Sequence, residues 1–183
     1  MNKGYCNRFH LAWRKIFILL MTLAFLLSSI CVFLTQDRKA YSAEYNLQSW
    51  WLVDSGKHLD WDGTCSYMDQ WYEGVRVWNA YKPGVIRVDT FWIIEDVKIS
   101  DFYNNNTNVV GVCSSNGTIK FNKYHMDKLN NNGKLSVVIH EIGHALGIAH
   151  NDNYYSIMYP YFTGHTKLFN CDKAAYDAAY KKY

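Results

Sequence analysis

The hydrophobic pattern first shows the period of an amphipathic helix. Apolar side chains recur there at spacings of three and four residues, and charged side chains line the opposite face. The apolar face consists of Met68, Trp71, Val75 and Trp78. Ser66 with Asp69 resembles a capping box at the start of the segment, and the pair Pro83-Gly84 is typical of its end. We therefore expect one long helix in this part of the chain.

After this helix the pattern changes to the alternation of apolar and polar residues that is typical of half-buried strands. The four candidate strands cover residues 85–92, 97–102, 109–113 and 118–122. Asparagine-rich stretches at 104–106 and 130–132 indicate loops. A second helical pattern then covers residues 135–146. The alternation predicts a small β-sheet between two long helices.

The second helical pattern carries the residues with the most chemistry. His140 and His144 are four residues apart, so both imidazoles project from one face of a helix and can share one metal ion. Glu141 lies beside that pair and can reach a water on the metal without being a ligand. Gly147 interrupts the helix, because glycine readily adopts a positive φ, and the turn lets His150 supply a third nitrogen.

Three imidazole ligands predict a catalytic zinc site. A zinc ion with three protein nitrogens keeps one open coordination position, which distinguishes a catalytic site from a closed structural one. Zinc lowers the pKa of a water in that position from about 15.7 towards about 7. We interpret Glu141 as the general base that takes a proton from this water during attack on a peptide carbonyl.

The amino-terminal part of the chain differs from the rest in charge and polarity. Residues 1–43 contain six Lys or Arg and one acid, whereas residues 44–183 contain 13 bases and 15 acids. The net charge of +3 therefore belongs to the leader and indicates no nucleic-acid partner. Residues 16–34 carry no charge, which suits a signal peptide or a membrane anchor. We expect a leader cut after Ser42 or Ala43, or retained as an anchor, with the following domain outside the cell.

The exported part retains three cysteines, at positions 65, 113 and 171. An oxidising compartment permits one disulfide among them with one thiol left over, and the spacing leaves the pairing open. Their spacing matches no zinc motif, so we interpret them as structural. The remaining histidines of this part are His58, His125 and His165, which lack ligand spacing and are interpreted as surface or packing residues.

Two motifs in the correct order resemble a known family. The string HEIGHALGIAH at 140–150, followed by SIMYP at 156–160, is similar to the signature of the metzincin metallopeptidases. Within that clan, SIMYP resembles the matrixins, which include the matrix metalloproteinases and smaller bacterial relatives. The resemblance implies an α+β fold: a small twisted mixed sheet with two long helices, and a short carboxy-terminal subdomain with one helix. Residues 67–81 and 172–180 resemble the first and the closing helix of that domain.

The resemblance also implies roles around the metal. Gly147 would provide the turn before the third ligand, and Met158 would form a hydrophobic floor under the zinc. Pro160 would end the methionine turn, which is the SIMYP segment 156–160. No cysteine switch of the PRCGxPD type precedes the catalytic region, so we expect no latency by a cysteine on zinc. Calcium is possible by resemblance to animal matrixins, but no acidic loop of this sequence matches their sites.

A specificity pocket follows from the same resemblance. In matrixins the residue four before the first zinc histidine helps to set the depth of the main pocket, and here it is the small Ser136. Residues 159–162, which include Tyr159, Tyr161 and Phe162, would form the wall of this pocket. We therefore expect a deep pocket that prefers a large apolar residue just after the scissile bond.

Three classes of function fit these observations. The first is a monomeric, exported zinc endopeptidase that acts on proteins or peptides. The second is a zinc-holding but non-catalytic surface or adhesion module, which would have no need of Glu141. The third is a zinc hydrolase that acts on cell-wall or small peptides, since the same zinc-activated water can attack those bonds.

Overall fold

A computed structural model describes residues 45–90 and 94–183, and within them the chain forms five strands and four helices. In chain order these are β1 (Leu59–Gly63), α1 (Met68–Asn79), β2 (Ile86–Val88), β3 (Val97–Phe102), β4 (Gly111–Ser114), β5 (Thr118–Asn122), α2 (Lys123–Met126), α3 (Asn131–Ala145) and α4 (Asn170–Tyr180). The predicted leader, with its apolar residues 16–34, lies outside the described residues. Among those that are described, no helix combines the length and the apolarity that crossing a membrane requires.

The five strands form one mixed sheet in the order β2-β1-β3-β5-β4. The three pairs among β1, β2, β3 and β5 are parallel, and β4 pairs with β5 in the antiparallel direction. This sheet, the long helices α1 and α3 and the closing helix α4 confirm the α+β fold expected from the sequence. Because β4 has a neighbour on one side only among the described strands, it is an edge strand of this sheet, and it lies next to α3.

Helices α1 and α3 pack against each other at close range. A Cβ atom on Gly74 of α1 would lie 2.8 Å from the Cγ1 atom of Val138 in α3. The two helices can approach this closely because glycine has no side chain. The indole nitrogen of the fully buried Trp78 donates a hydrogen bond to the carbonyl oxygen of Ile139 at 3.0 Å. The apolar face predicted for α1 therefore fixes the helix that carries the candidate ligands.

The start of α3 differs from the sequence-based expectation. The residues 130–132 were expected in a loop, yet the helix begins at Asn131. Asn130 caps it, because its side-chain oxygen accepts a hydrogen bond from the backbone N–H of Gly133 at 2.9 Å. An asparagine cluster is typical of both loops and helix starts, and here the capping role prevails.

The prediction of a capping box at the start of α1 is wrong. The N-cap residue is Tyr67, and no side chain caps it. Ser66 instead donates its hydroxyl hydrogen to the carboxylate of Asp101 at 2.7 Å, which joins the chain before α1 to the end of β3. Competition from this tertiary hydrogen bond explains the difference.

The strands also depart from the predicted bounds. β2 covers three residues where residues 85–92 were expected, and residues 91–93 lie outside the described part. β4 begins at Gly111, two residues later than predicted, while the bounds of β3 and β5 are as expected. β1 was not predicted, since three consecutive buried residues at its start obscure the alternation.

Candidate active site

The three predicted ligand histidines meet beside the carboxyl end of α3. The Nε2 atom of His150 lies 3.0 Å from Nε2 of His140 and 3.1 Å from Nε2 of His144. Helix α3 supplies the first two rings one turn apart, and Gly147, with a φ of +82°, turns the chain so that His150 returns to them. The three rings therefore form one cluster of potential metal ligands.

Hydrogen bonds on the far side of two rings orient their lone pairs towards the centre of the cluster. The Nδ1 atom of His140 lies 2.7 Å from the carbonyl oxygen of Ile157, and Nδ1 of His144 lies 2.8 Å from that of Ile148. A carbonyl oxygen only accepts, so each Nδ1 carries the hydrogen and each Nε2 presents a lone pair. One N–H on His150 cannot satisfy both lone pairs, whereas a central cation can.

The cluster fits zinc in geometry and in protonation. Nitrogens bound at about 2.0–2.1 Å in tetrahedral zinc sites lie about 3.3 Å from each other. This is close to the 3.0 and 3.1 Å that separate Nε2 of His150 from those of His140 and His144. Burial lowers the pKa of His140 to about 3 and that of His144 to about 4, and it also lowers the pKa of His150. All three rings are thus neutral near pH 7, as metal binding requires.

Glu141 is buried between α3 and the edge strand β4. Its carboxylate accepts a hydrogen bond from the backbone N–H of Cys113. A Cβ atom on Gly111 would lie 2.8 Å from Oε1 of Glu141, so the strand approaches the carboxylate closely. Burial raises the pKa of Glu141 to about 8. A carboxyl group whose pKa lies near neutrality is suited to exchange a proton at this position.

The sequence pattern does not reveal that Gly111 and Cys113 contribute to the site. Both act on Glu141 through their backbone, and a backbone contact between distant segments leaves no motif. The only available signal was a glycine within a predicted strand, which often marks a close approach of another group.

Met158 lies under α3 near the histidine cluster. Its side chain is fully buried, and a Cβ atom on Gly143 would overlap its sulfur atom. The carbonyl oxygen of Met158 accepts a hydrogen bond from the backbone N–H of Asn151 at 3.2 Å. The methionine turn therefore contacts both the helix with the first two histidines and the residue after the third.

A network of buried polar side chains forms hydrogen bonds with the methionine turn. Asn151 donates from Nδ2 to the hydroxyl of Ser156 at 2.8 Å, and that hydroxyl donates to the carboxylate of Asp172 at 2.5 Å. Asp172 also accepts hydrogen bonds from the backbone N–H groups of Ile157 and Phe169. Burial raises the pKa of Asp172, and the hydrogen bonds oppose this effect. The network joins the methionine turn to the start of α4.

A cavity of about 690 Å³ opens over the histidine cluster. The residues expected at the pocket all line it: Ser136, Tyr159, Pro160, Tyr161 and Phe162. Ser136 is buried, whereas Tyr161 and Phe162 are 73% and 59% exposed and lie at the rim. The lining also includes Val109, Val110, Val112 and Val137. The cavity therefore combines the three imidazoles and Glu141 with mostly apolar walls.

A second group of acids does not line this cavity. Carboxylate oxygens of Asp54, Asp60 and Asp96 lie within 4.8 Å of one another. The guanidinium of Arg87 donates two hydrogen bonds to Asp60, at 2.9 and 2.8 Å. Because Arg87 already compensates this charge, we assign no calcium or other metal to the group.

Within residues 45–90 and 94–183, the other histidines and the cysteines do not join the cluster. His125 contacts the carbonyl oxygen of Thr107 at 2.6 Å, and His165 that of Tyr154 at 3.0 Å, while His58 lies 3.8 Å from the carboxylate of Asp54. Cys65, Cys113 and Cys171 carry free thiols, so among the described residues none of the disulfides that the sequence permits is formed.

Comparison with known families agrees with this geometry. The family model Peptidase_M10, described as Matrixin, matches residues 42–181, which include every described strand and helix. No curated protein matches the chain significantly.

Proposed function

The chain belongs to the matrixin family of zinc-dependent metallopeptidases, and we propose that residues 44–183 act outside the cell as an endopeptidase on protein or peptide substrates. The proposal rests mainly on one observation: Nε2 of His150 lies 3.0 and 3.1 Å from Nε2 of His140 and of His144, in the cavity that also contains the buried Glu141. A binding module would need the histidines alone.

Each residue of the site has one role in this proposal. His140, His144 and His150 would hold the zinc ion through Nε2. When bound, zinc polarises the substrate carbonyl and makes a water molecule more acidic. Glu141 takes the proton of the attacking water and passes it to the departing amine nitrogen. The backbone N–H of Cys113 orients the Glu141 carboxylate for this transfer.

The cavity supports a preference for a large apolar residue just after the scissile bond. The small Ser136 leaves room at the base, and the valines of the lining offer no charge to a substrate side chain. Cleavage of a peptide library should therefore favour Leu, Phe or Met at that position. A preference for small or charged residues there would contradict this assignment of the pocket.

We propose that residues 1–43 direct export, either as a signal peptide cut after Ser42 or Ala43 or as an anchor retained through residues 16–34. The amino-terminal sequence and the cell fraction of the expressed chain distinguish the two cases. Retention of the whole chain in the cytoplasm would contradict export.

We also propose that the exported domain is a monomer, which light scattering of the purified protein would test.

Glu141→Ala tests the proposed mechanism. The full chain is offered casein and a peptide library, with and without a metal chelator, and zinc content is measured in parallel. We expect the variant to retain zinc and to lose about 10²- to 10⁴-fold in rate, the usual contribution of a general base. Wild-type cleavage should also stop when the chelator is added.

The same assay separates the alternative functions. Undiminished cleavage by Glu141→Ala would refute its role as the base. A zinc-loaded wild-type protein that cleaves no peptide would favour the adhesion module. Activity on cell-wall peptides without activity on casein would favour the third class.

A further inference from the structure

The described chain begins with a segment that runs along the end of α3. We call residues 46–52 the N-terminal strap, because they pair with residues 145–150 in the antiparallel direction. Three backbone hydrogen bonds join the two segments: Gln48 N–H to Gly147 O at 2.8 Å, Ala149 N–H to Asn46 O at 3.0 Å, and Leu52 N–H to Ala145 O at 2.9 Å. The strap thus follows the stretch of chain between the second and third histidines of the cluster.

Two side chains of the strap reach these histidines. Asn46 and Gln48 are two residues apart, so in an extended segment their side chains lie on the same side. Asn46 donates from Nδ2 to the carbonyl oxygen of His150 at 3.0 Å. The side-chain amide nitrogen of Gln48 lies 3.3 Å from Nδ1 of His144, but that Nδ1 donates its hydrogen to the carbonyl oxygen of Ile148, so this contact is no hydrogen bond. The strap therefore touches two of the three proposed ligands.

The position of His150 depends most on such support. His140 and His144 are fixed by α3, and each ring is bonded through Nδ1 to a backbone carbonyl oxygen. His150 lies beyond the helix, and in the described part of the chain its ring has hydrogen-bonding contacts only with the two other rings. The position of the His150 ring must therefore be set by the backbone of His150. Asn46 holds the carbonyl of His150, and the methionine turn holds the N–H of the next residue.

We propose that Asn46 is a positioning residue of the metal centre and that its hydrogen bond to the His150 carbonyl sets the position of the third ligand. The inference rests on the proposed function in taking the three histidines as zinc ligands. Partners of metal ligands outside the coordination sphere typically change metal affinity by about 10- to 100-fold when they are removed. Leader cleavage after Ser42 or Ala43 would leave the strap intact, whereas trimming past residue 48 would weaken zinc binding.

The test measures metal affinity in the full chain. Zinc affinity is determined by competition with a chromophoric chelator, and the cobalt-substituted protein reports the ligand set by its visible absorption. Asn46→Ala removes the donor, and Asn46→Asp keeps the shape but replaces the donor with an oxygen that cannot donate. Ser49→Ala is the matched control, since Ser49 is an exposed strap residue whose hydroxyl forms no hydrogen bond within the described residues.

We expect the zinc Kd to rise about tenfold or more in both Asn46 variants, with no rise for the control Ser49→Ala. The cobalt absorption of the Asn46 variants should change in intensity or position. The melting temperature of the metal-free protein should match that of the control, since Asn46 is exposed.

Several results would overturn the inference. A zinc Kd equal to that of Ser49→Ala would do so, and so would weaker binding that is fully explained by a lower melting temperature of the metal-free variants. Because peptide cleavage is not the readout, a wild-type protein that binds zinc but cleaves nothing would contradict the proposed function and leave this inference standing. A wild-type protein that binds no zinc would overturn both.

Discussion

At the scale of single residues, the orientation of Glu141 depends on the absence of a side chain at Gly111. The carboxylate is enclosed by the backbone of β4, where Gly111 lies opposite Oε1 and Cγ of Glu141 and Cγ1 of Val137. The N–H of Cys113 supplies the hydrogen bond that compensates part of the cost of burial. Backbone atoms of the edge strand thus position the proposed general base.

Gly111→Ala should reduce activity without removing zinc. The added Cβ would lie 2.8 Å from Oε1 and 2.9 Å from Cγ of Glu141, closer than such atoms can approach, so the carboxylate must move. A displacement of about 1 Å near a reacting group can reduce the rate by about 10²-fold. Rates on a fluorogenic peptide and zinc content together check this prediction.

Ser114→Ala, in the same strand, is the control for Gly111→Ala, and it should retain wild-type activity. If Gly111→Ala were as active as this control, the close approach would not constrain Glu141. If the variant lost its zinc as well, the strand would support the whole cluster rather than Glu141 alone.

At the residue scale, the sequence predicts local geometry but not the contacts between distant segments of the chain. Spacing along one helix predicted that the first two histidines share a face, and Gly147 predicted the turn that the positive φ confirms. Local geometry is sufficient for both inferences. Contacts from Gly111 and Asn46 join segments far apart in the chain, and no local pattern encodes them.

At the scale of elements, the methionine turn is held between α3 and α4 by polar contacts as well as by apolar packing. The hydroxyl of Ser156 accepts hydrogen bonds from Asn151 and from the backbone N–H of Met158, and it donates to Asp172 near the start of α4. All four residues are buried. A single hydroxyl therefore connects the residue after the third histidine, the methionine and the closing helix.

Ser156→Ala should lower the free energy of unfolding by about 2 kcal/mol, because it leaves the buried Asp172 and Asn151 each without one partner. Denaturant unfolding of the metal-free chain checks the value. Ser115→Ala, at an exposed position, is the control and should change little. A loss below about 0.5 kcal/mol would show that the network tolerates the gap.

The elements themselves were predicted unevenly. Helices α1 and α3 and strands β3 and β5 have strong periodic patterns, and the structure confirms them. The start of α3 and the expected capping box at α1 were misjudged, because asparagine and serine hydrogen-bond equally well in loops, caps and tertiary contacts. Buried β1 lacked the alternation by which the other strands were found.

At the scale of the whole molecule, the described part of the chain places one edge of a mixed sheet opposite the methionine turn, with α3 between them. The cavity lies where these parts meet, and it is lined by β4, α3 and the segment 157–163. The order β2-β1-β3-β5-β4 was not derivable from the strand patterns, since periodicity reports burial and not neighbours. The fold class came from the resemblance, which the family match confirms.

Metal analysis of the purified full chain tests most directly whether three imidazoles hold one zinc ion beside Glu141. We expect one zinc ion per folded wild-type chain and a large loss of bound zinc in His150→Ala, with zinc retained in Glu141→Ala. Folded wild-type protein that binds no zinc, or zinc binding that is unchanged in His150→Ala, would contradict this expectation.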